Sequence, residues 1–521
     1  MQYIDARTPA WWLAGLAAVV LLAGGALILL HGFDGLYGQD PFAYFAYAMG
    51  PVRESLLAAR PPPPFFWPPG YPLPVALLSF ITGPTPLAGQ LISLAAGALI
   101  PVFTFLLCRE LRPQDGAVAP LVAGLLAAFT GQLWQSSTVV MSDTTALACA
   151  TAGAWSLARY GRSLRLRWLL LAAAALAWAT ITRWIYGLVA VPCTAYALLV
   201  LWHSGGRKAA GHAAAAALVT GLILGPVLLA MVASRSDAAA FGGNFQVYSW
   251  HPARFFGRAF MTADGLLRHE LPNVLYYGLA PARWAYFTPL LAPLILPGIA
   301  AVVRRRDAAA LLILLGWAGI VFAFHIGAPY QNFRFTLAFL PPLAVLAGIG
   351  TAWVARVAGA RRSRRTAIAA CLLLAGGLGL MAAAGTHATR VLIGRKDDSV
   401  AAVRWVESRL PPDARIATFG LALTFRHYAS ADTYELYELD PAALTELLED
   451  PRPLFLFVDT AGLHGQWRDL APGTNYRWLE RGPGLTAAGD RGAYTLFRVG
   501  CLPPPPLRLR QSSDQAGRCS G

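Results

Sequence analysis

Five side chains of this sequence stand where charge is costly, and so raise the question of chemistry. Asp34 and Asp40 lie in FDGLYGQDPFAYFAYAMG (33–50), directly after the apolar run WWLAGLAAVVLLAGGALILL (11–30). Asp143 lies in STVVMSDTTALACA, Arg183 interrupts AWATITRWIYGLVAVP, and Arg334 opens YQNFRFTLAFLPPLAVLAG. An ion moved from water into an apolar medium is strongly disfavoured, so each of these needs a counter-charge or a task. A carboxylate at a lipid–water boundary is partly desolvated, which favours proton uptake and suits Asp40 to general-base work on a hydroxyl or amine. A guanidinium fork matches phosphate oxygens, which suits Arg183 and Arg334 to holding a phosphate. Each residue also has a purely structural use. Asp40 before Pro41 is a helix-start signal, Asp34 is turn-like, and Asp143 reads equally well as a helix N-cap. The arginines could snorkel to the interface.

Aromatic side chains surround these charges in sequence. Tyr44 follows Asp40 by about one helical turn. The segment RPPPPFFWPPGYPLP (60–74) is a stiff, extended platform on which Phe65, Phe66, Trp67 and Tyr71 offer flat faces to a sugar or a lipid chain. The alternative is a rigid surface loop. His325, in FAFHIGAPY, either joins the arginine site or serves the fold. The set has one common use: a lipid-linked phosphate on Arg183 and Arg334, its chain between helices, and an acceptor hydroxyl deprotonated by Asp40. Tyr44, Trp67, Tyr71 and His325 then line the substrate, and Asp143 orients the acceptor or the base.

The elements that must position these residues are membrane spans. The chain of 521 residues is 56% hydrophobic and 13% charged, where soluble domains carry about 25% charged residues. Its long apolar runs approach the roughly 20 residues that cross a bilayer as helix, and the first reads as a retained span rather than a signal peptide. The net charge of +15 does not mark a nucleic-acid face. Its basic residues cluster in short connectors: Arg109 and Arg112, Arg159 to Arg167, Arg207 and Lys208, Arg304 to Arg306, and RRSRR at 361–365. That alternation is the positive-inside pattern. Threading by it predicts about eleven spans with a cytoplasmic N-terminus, near 11–31, 87–108, 117–134, 144–160, 167–183, 184–202, 211–233, 284–303, 308–327, 335–356 and 367–387. Residues 71–83 are too short and Pro-rich for a span and read as a half-helix or interfacial helix.

Three parts are then external. The first loop covers 32–86, and the second, 234–283, is rich in aromatics and arginine as suits a headgroup layer. The third is a soluble domain over 388–500. Within it a helix is expected over 400–410, a strand over 415–420, a helix over 440–450 capped by Asp440, and a buried strand over 453–460. A closing hairpin over 485–499 turns at Gly489-Asp490-Arg491-Gly492. Residues 501–521 read as a disordered tail in which Cys501 and Cys519 could pair. The other cysteines show no metal spacing, and no P-loop, CxxC or HExxH occurs, which removes the best supports for nucleotide-driven transport and zinc chemistry.

In order, GQDPFAYFAYA, WPPGYPLPVALLSF, LAGQLISLAAGALIPVFTFLLCREL, VVMSDTTALACA, TITRWIYGLVAVP, NFRFTLAFLPPLAVLAG and AVRWVESRLPPDARIATFG run through most of the chain. This series resembles the GT-C membrane glycosyltransferases, in particular the protein O-mannosyltransferase and lipid A aminoarabinose transferase group. The resemblance implies a polytopic α-helical membrane protein, GT-C-like over 1–387, with a small C-terminal α/β domain in the periplasm of a bacterial inner membrane. It implies a polyprenyl-phosphate-sugar donor, a glycan, lipid or protein acceptor, and inverting transfer by a single displacement. The first-loop aspartate is then the catalytic base, which maps onto Asp40. The acidic pair Asp-Glu of the family is here Asp40-Pro41, which leaves Asp34 as a competing base and weakens the case for a metal. The WWDYG-like signature of the metal-dependent oligosaccharyltransferase branch is absent, so no metal cofactor is expected.

Two other classes of function remain to be weighed. A transporter or flippase would place charges along a central pathway and carry an inverted repeat. In this sequence most charges sit at span ends and no such repeat is visible. A non-catalytic envelope-assembly scaffold would tolerate Asp40→Asn.

Overall fold

The computed structural model describes residues 10–233, 249–358 and 364–500. The expected tail pairing of Cys501 with Cys519, the tail itself and much of the second loop's aromatic stretch lie outside the described residues. The chain forms two compact units, one running to Arg258 and resuming over His269–Ile393, the other taking Ala259–Arg268 and everything from Gly394 onward.

The first unit is helical, and every expected span coincides with a helix or a bent pair of helices. Among the described residues eight helices are long and apolar enough to cross a membrane, or nine with the pair Val118–Phe129 and Gly131–Thr138, bent by 52°. The remaining two expected spans are Asp143–Ser163, more polar, and Leu166–Thr182, only 17 residues long. The chain is thus a multi-pass membrane protein. Pro72–Thr82 is a short apolar helix, as its prolines at the start allow. Several buried polar groups in this unit are paired within it, as an apolar medium favours. The indole N–H of fully buried Trp317 donates to the Ala338 carbonyl at 2.9 Å, tying Trp317–Gly327 to the segment that carries Arg334.

Away from the aromatic loops, the basic connectors are drawn together by one acid. Asp115 has a fully buried side chain and meets Arg112 at 3.2 Å, Arg356 at 2.5 Å and Arg305 at 3.9 Å. Arg112 is itself fully buried. The C-terminal ends of three helices, Leu87–Leu111, Ile295–Arg305 and Leu340–Ala358, are thereby cross-linked by a single carboxylate.

The second unit is α/β. Its five-stranded sheet pairs Arg415–Thr418 in parallel with Asp432–Glu435 on one side and Leu454–Val458 on the other. The hairpin of Leu485–Arg491 and Tyr494–Val499 closes the sheet antiparallel, with a register shift between Ala487 and Gly489. The central strands are buried throughout, as parallel strands covered on both faces should be. Asp440 caps Pro441–Glu449, accepting from the Ala443 N–H at 2.8 Å. The other end of that helix is held by buried Arg415, which donates to the carbonyls of Leu447, Asp450 and Arg452 at 2.6, 2.9 and 2.6 Å.

Two sequence expectations differ from this unit. The helix over 400–410 is not separate: Arg364–Glu407 is one helix of 44 residues continuing the last apolar span. The segment 388–399 carries no proline and too few turn residues to break it. A two-stranded hairpin, Ala259–Thr262 with Gly265–Arg268, also belongs to this unit although it comes from the second loop. The side-chain amide of Gln466 donates to the Asp264 carbonyl there.

Burial pushes Glu435, at the carboxyl end of its strand, up to about 7 from an ordinary 4.5, against the opposing pull of the Tyr437 and Gly420 N–H groups. A carboxyl raised in this way binds its proton more tightly folded than unfolded. Its contribution to stability is therefore complete below about pH 4.5 and lost as pH rises through about 7. Amide exchange of the full-length protein should show the Gly420 and Tyr437 amides opening faster at pH 8 than at pH 6, after correction for intrinsic rates. Glu435→Gln should remove most of that difference.

Candidate active site

The first loop is brought to Asp143 by its own turn. Asp34 accepts the Leu36 N–H at 3.0 Å, and Gly35 follows with φ +83°, a conformation that favours glycine. A side chain at Gly35 would also collide with Gln90 and with the Thr138 carbonyl. The close approach is secured by the Val140 N–H donating to the Gly35 carbonyl at 3.1 Å. The Gln90 amide spans the Phe33 and Thr138 carbonyls at 2.8 and 3.2 Å. Asp34 therefore serves this turn, and it is not among the residues lining the site's cavity.

Helix Gln39–Tyr47 starts from Gly38, and neither Asp40 nor Asp143 makes the side-chain cap that the sequence equally allowed. Asp143 begins Asp143–Ser163 after Ser142, whose hydroxyl meets the Tyr44 hydroxyl at 2.9 Å. Both carboxylates turn to arginine instead. Asp40 Oδ2 lies 3.0 Å from Arg334 Nη2, Asp143 Oδ2 lies 3.5 Å from Arg334 Nε, and Asp143 Oδ1 lies 2.6 Å from Arg183 Nη1. Four charges thus alternate in a chain, Asp40–Arg334–Asp143–Arg183, whose sum is zero.

Each arginine owes its place to a local break in helix. Leu166–Thr182 ends at Arg183, which is extended, and Tyr186–Ser204 begins three residues later. Arg183 is therefore at the break between two helices, where the expected spans 167–183 and 184–202 meet. The WPPGY loop packs on this break: the Gly70 N–H donates to the Ile181 carbonyl at 2.8 Å, and a Cβ at Gly70 would strike Thr182 and Ile181. Arg334 sits in the 3-10 turn Phe333–Phe339, started by Asn332, whose side chain accepts the Arg334 N–H at 3.0 Å. The preceding segment is pinned by the Asn273 amide on the Ala328 carbonyl and the Tyr277 hydroxyl on the Tyr330 carbonyl.

Phe335 organises the cations. Arg183 and Arg334 lie over its ring at 5.6 and 5.5 Å, each within cation–π reach. Behind it His325 stacks at 5.2 Å, and Tyr277 stacks on His325 at 5.1 Å. His325 is buried, lines the cavity, and among the described residues neither of its ring nitrogens has a hydrogen-bond partner.

The arginines open onto a cavity of about 540 Å³. Its polar wall is Asp143, Arg183, Arg334, Ser249 and His325, and its apolar wall includes Trp67, Trp184, Tyr186, Leu228, Trp250 and Phe324. Trp67 lines it as expected and stacks on Tyr44. Tyr44 and Tyr71 do not line it. Both are buried, and Tyr71 is spent on the Gly89 carbonyl and the Ser93 hydroxyl at 3.0 and 2.9 Å, so they are the frame behind the wall. Sequence reasoning missed Phe335, Tyr277, Tyr186 and Trp250. Only Phe335, adjacent to Arg334 in NFRF, left a local signal. Among the described residues no group of three His, Cys, Asp or Glu side chains comes together as a metal site would require.

Comparison with known proteins gives a sequence match and a fold match. Residues 67–229, which hold Asp143 and Arg183, match the family model of dolichyl-phosphate-mannose-protein mannosyltransferases. No curated protein matches the sequence. Among solved structures the chain is similar to ArnT from Cupriavidus metallidurans bound to undecaprenyl phosphate, with TM-score 0.59 and 16% identity, covering 94% of this chain and 98% of that one. The same protein in its apo state gives 0.60 at 16% identity over the same shares. The archaeal oligosaccharyltransferase AglB from Archaeoglobus fulgidus, in complex with an inhibitory peptide and a dolichol-phosphate, gives 0.56 at 13% identity over 96% and 75%. The chain thus shares the fold of ArnT and AglB, and over residues 67–229 it matches the sequence model of the dolichyl-phosphate-mannose-protein mannosyltransferase family.

Proposed function

We propose that this protein transfers a sugar from a polyprenyl-phosphate donor to a hydroxyl or amine acceptor, with inversion at the anomeric carbon. The observation that carries the proposal is the Asp40–Arg334–Asp143–Arg183 chain, three of whose members line a largely apolar cavity while Asp40 is bonded to one of them. An isoprenoid chain fits aromatic and aliphatic lining, a phosphate fits two guanidinium groups sharing one ring, and a base must stand beside them. The solved similar structures with undecaprenyl phosphate and dolichol-phosphate support that donor class.

Asp40 takes the acceptor proton as the acceptor oxygen or nitrogen attacks the anomeric carbon. The carbon–oxygen bond to phosphate breaks on the opposite face, and its electron pair goes to the phosphate, where Arg183 and Arg334 stabilise the growing charge. Asp143 holds both arginines in register. Trp67 and His325 line the donor, and the acceptor is a glycan, a lipid or a protein. We assign no metal to the step, because the two carboxylates that could ligate one are already matched to arginines. The clustering of basic residues in alternate connectors supports a topology with those connectors in the cytoplasm and the site and the α/β domain on the periplasmic side of a bacterial inner membrane.

Purified protein in lipid nanodiscs, given radiolabelled polyprenyl-phosphate sugars and an envelope extract, should release polyprenyl phosphate, with the rate unchanged by EDTA. Absence of release with every donor would overturn the reading. A specific observation against the transporter alternative is that the four charges pair with one another in one cluster instead of lining a path.

A further inference from the structure

The geometry points to Arg334 as an exchangeable partner: in the free protein it masks Asp40, and the arriving donor phosphate draws it away and so exposes the base. This rests on the donor reading above.

Arg334 is held by unequal bonds. Its Nη2 donates to Asp40 Oδ2 at 3.0 Å, but its Nη1 has only the Met141 thioether, at 2.8 Å, and sulfur is a weak acceptor. Its Nε lies 3.5 Å from Asp143 Oδ2, and neither atom makes a hydrogen bond there. Asp143 does not depend on Arg334, since Arg183 holds its other oxygen at 2.6 Å. A phosphate offers the fork two charged oxygens in place of a thioether and a misaligned carboxylate, and charge-assisted pairs of that kind are the strong ones. The Asp40 and Arg334 side chains are part-buried, 30% and 21% exposed, so the guanidinium leaves the carboxylate only for another anion, which the phosphate supplies.

Position completes the argument. Arg334 lines the cavity and Asp40 does not, so the guanidinium stands between the base and the donor space. Arg183 lies over the same Phe335 ring, which places a second fork beside the first for one anion to bridge. The four charges sum to zero before donor arrives. An added anion then claims the cations, and Asp40, stripped of its counter-ion, becomes the group that takes a proton. When polyprenyl phosphate leaves, Arg334 returns to Asp40 and assists loss of the proton to water. The chain therefore binds donor first, and the base stays masked until a donor is seated.

A binding cycle tests this without turnover. The affinity of undecaprenyl phosphate for full-length protein in nanodiscs is measured for wild type, Asp40→Asn, Arg334→Gln and the double variant, with thermal unfolding as the check on folding. If Asp40 competes for Arg334, Asp40→Asn should tighten binding about tenfold, and in the Arg334→Gln background it should change nothing. Arg334→Lys, which keeps the charge, repeats the test should Arg334→Gln fold poorly. Equal tightening in both backgrounds would mean simple repulsion of the phosphate by Asp40 and would overturn the exchange while leaving the donor reading intact. No binding by wild type or any variant would overturn the donor reading and the exchange with it.

Discussion

Asp40→Asn should abolish most transfer, lowering release of polyprenyl phosphate by about 10²–10⁴-fold, the usual contribution of a positioned general base. Asparagine keeps the size and can still accept from Arg334 Nη2, so the helix Gln39–Tyr47 and the aromatic platform should be undisturbed. The carboxylate is part-buried, at 30% exposure, and the amide fills the same space. Unfolding temperature should therefore stay close to that of wild type while turnover collapses. The measurement is single-turnover release in nanodiscs beside a thermal melt. A variant that turns over normally would remove Asp40 from the mechanism and move the search to Asp143. Asp34→Asn is the matched control: its carboxylate serves the turn at Leu36, an amide oxygen can accept the same N–H, and turnover should fall by less than about threefold.

Arg183→Ala should damage both fold and chemistry. The Asp143 side chain is 6% exposed and that of Arg183 is 15% exposed, so the pair at 2.6 Å is largely out of water. Breaking a buried pair by removing one partner costs about 3–5 kcal/mol. Arg334 remains 3.5 Å from Asp143 and the cavity admits water, which reduces the expected loss to about 2 kcal/mol. Turnover should fall by about 10²–10³-fold, as when a preorganised charge aimed at the leaving group is removed. The informative companion is Arg183→Leu with Asp143→Leu. Replacing both partners by apolar groups should recover most of the melting temperature and none of the turnover. Recovery of turnover would show that the pair is structural only.

The fold was largely legible because bilayer thickness leaves so strong a mark. Runs of apolar residues separated by arginine-bearing connectors located the long apolar helices, and the alternation of buried strand and helix located the α/β unit. Failures came where two elements share one sequence signal. The continuation of the last span to Glu407 was hidden because the pattern switches from lipid-facing to amphipathic without a helix breaker. The hairpin Ala259–Arg268 was hidden because β pairing is short-range in sequence but its membership in the second unit is not. In the site, charges announced themselves because isolated ions in apolar surroundings are rare. That is why Asp40, Asp143, Arg183 and Arg334, spread over nearly 300 positions, could be selected singly and then found together. The aromatic assignments fared unevenly for the opposite reason: a tyrosine in an apolar protein is equally at home as wall or frame. Trp67 proved to be wall, Tyr44 and Tyr71 frame, and the stack of Tyr277, His325 and Phe335 depends on contacts no spacing could reveal.

The arginines gathered by Asp115 have a history within the life of one molecule. As the chain emerges, Arg112, Arg305 and Arg356 count as separate positive charges in separate connectors, and the insertion machinery weighs lysines and arginines while giving acids little weight. Only after the helices have entered and sorted themselves can Asp115 meet all three. The cations that the positive-inside pattern would read as addresses are thus the ones joined as a latch, and the latch cannot close until the helices bearing them are all in place. Assembly is thereby given an order that the charge pattern alone does not contain.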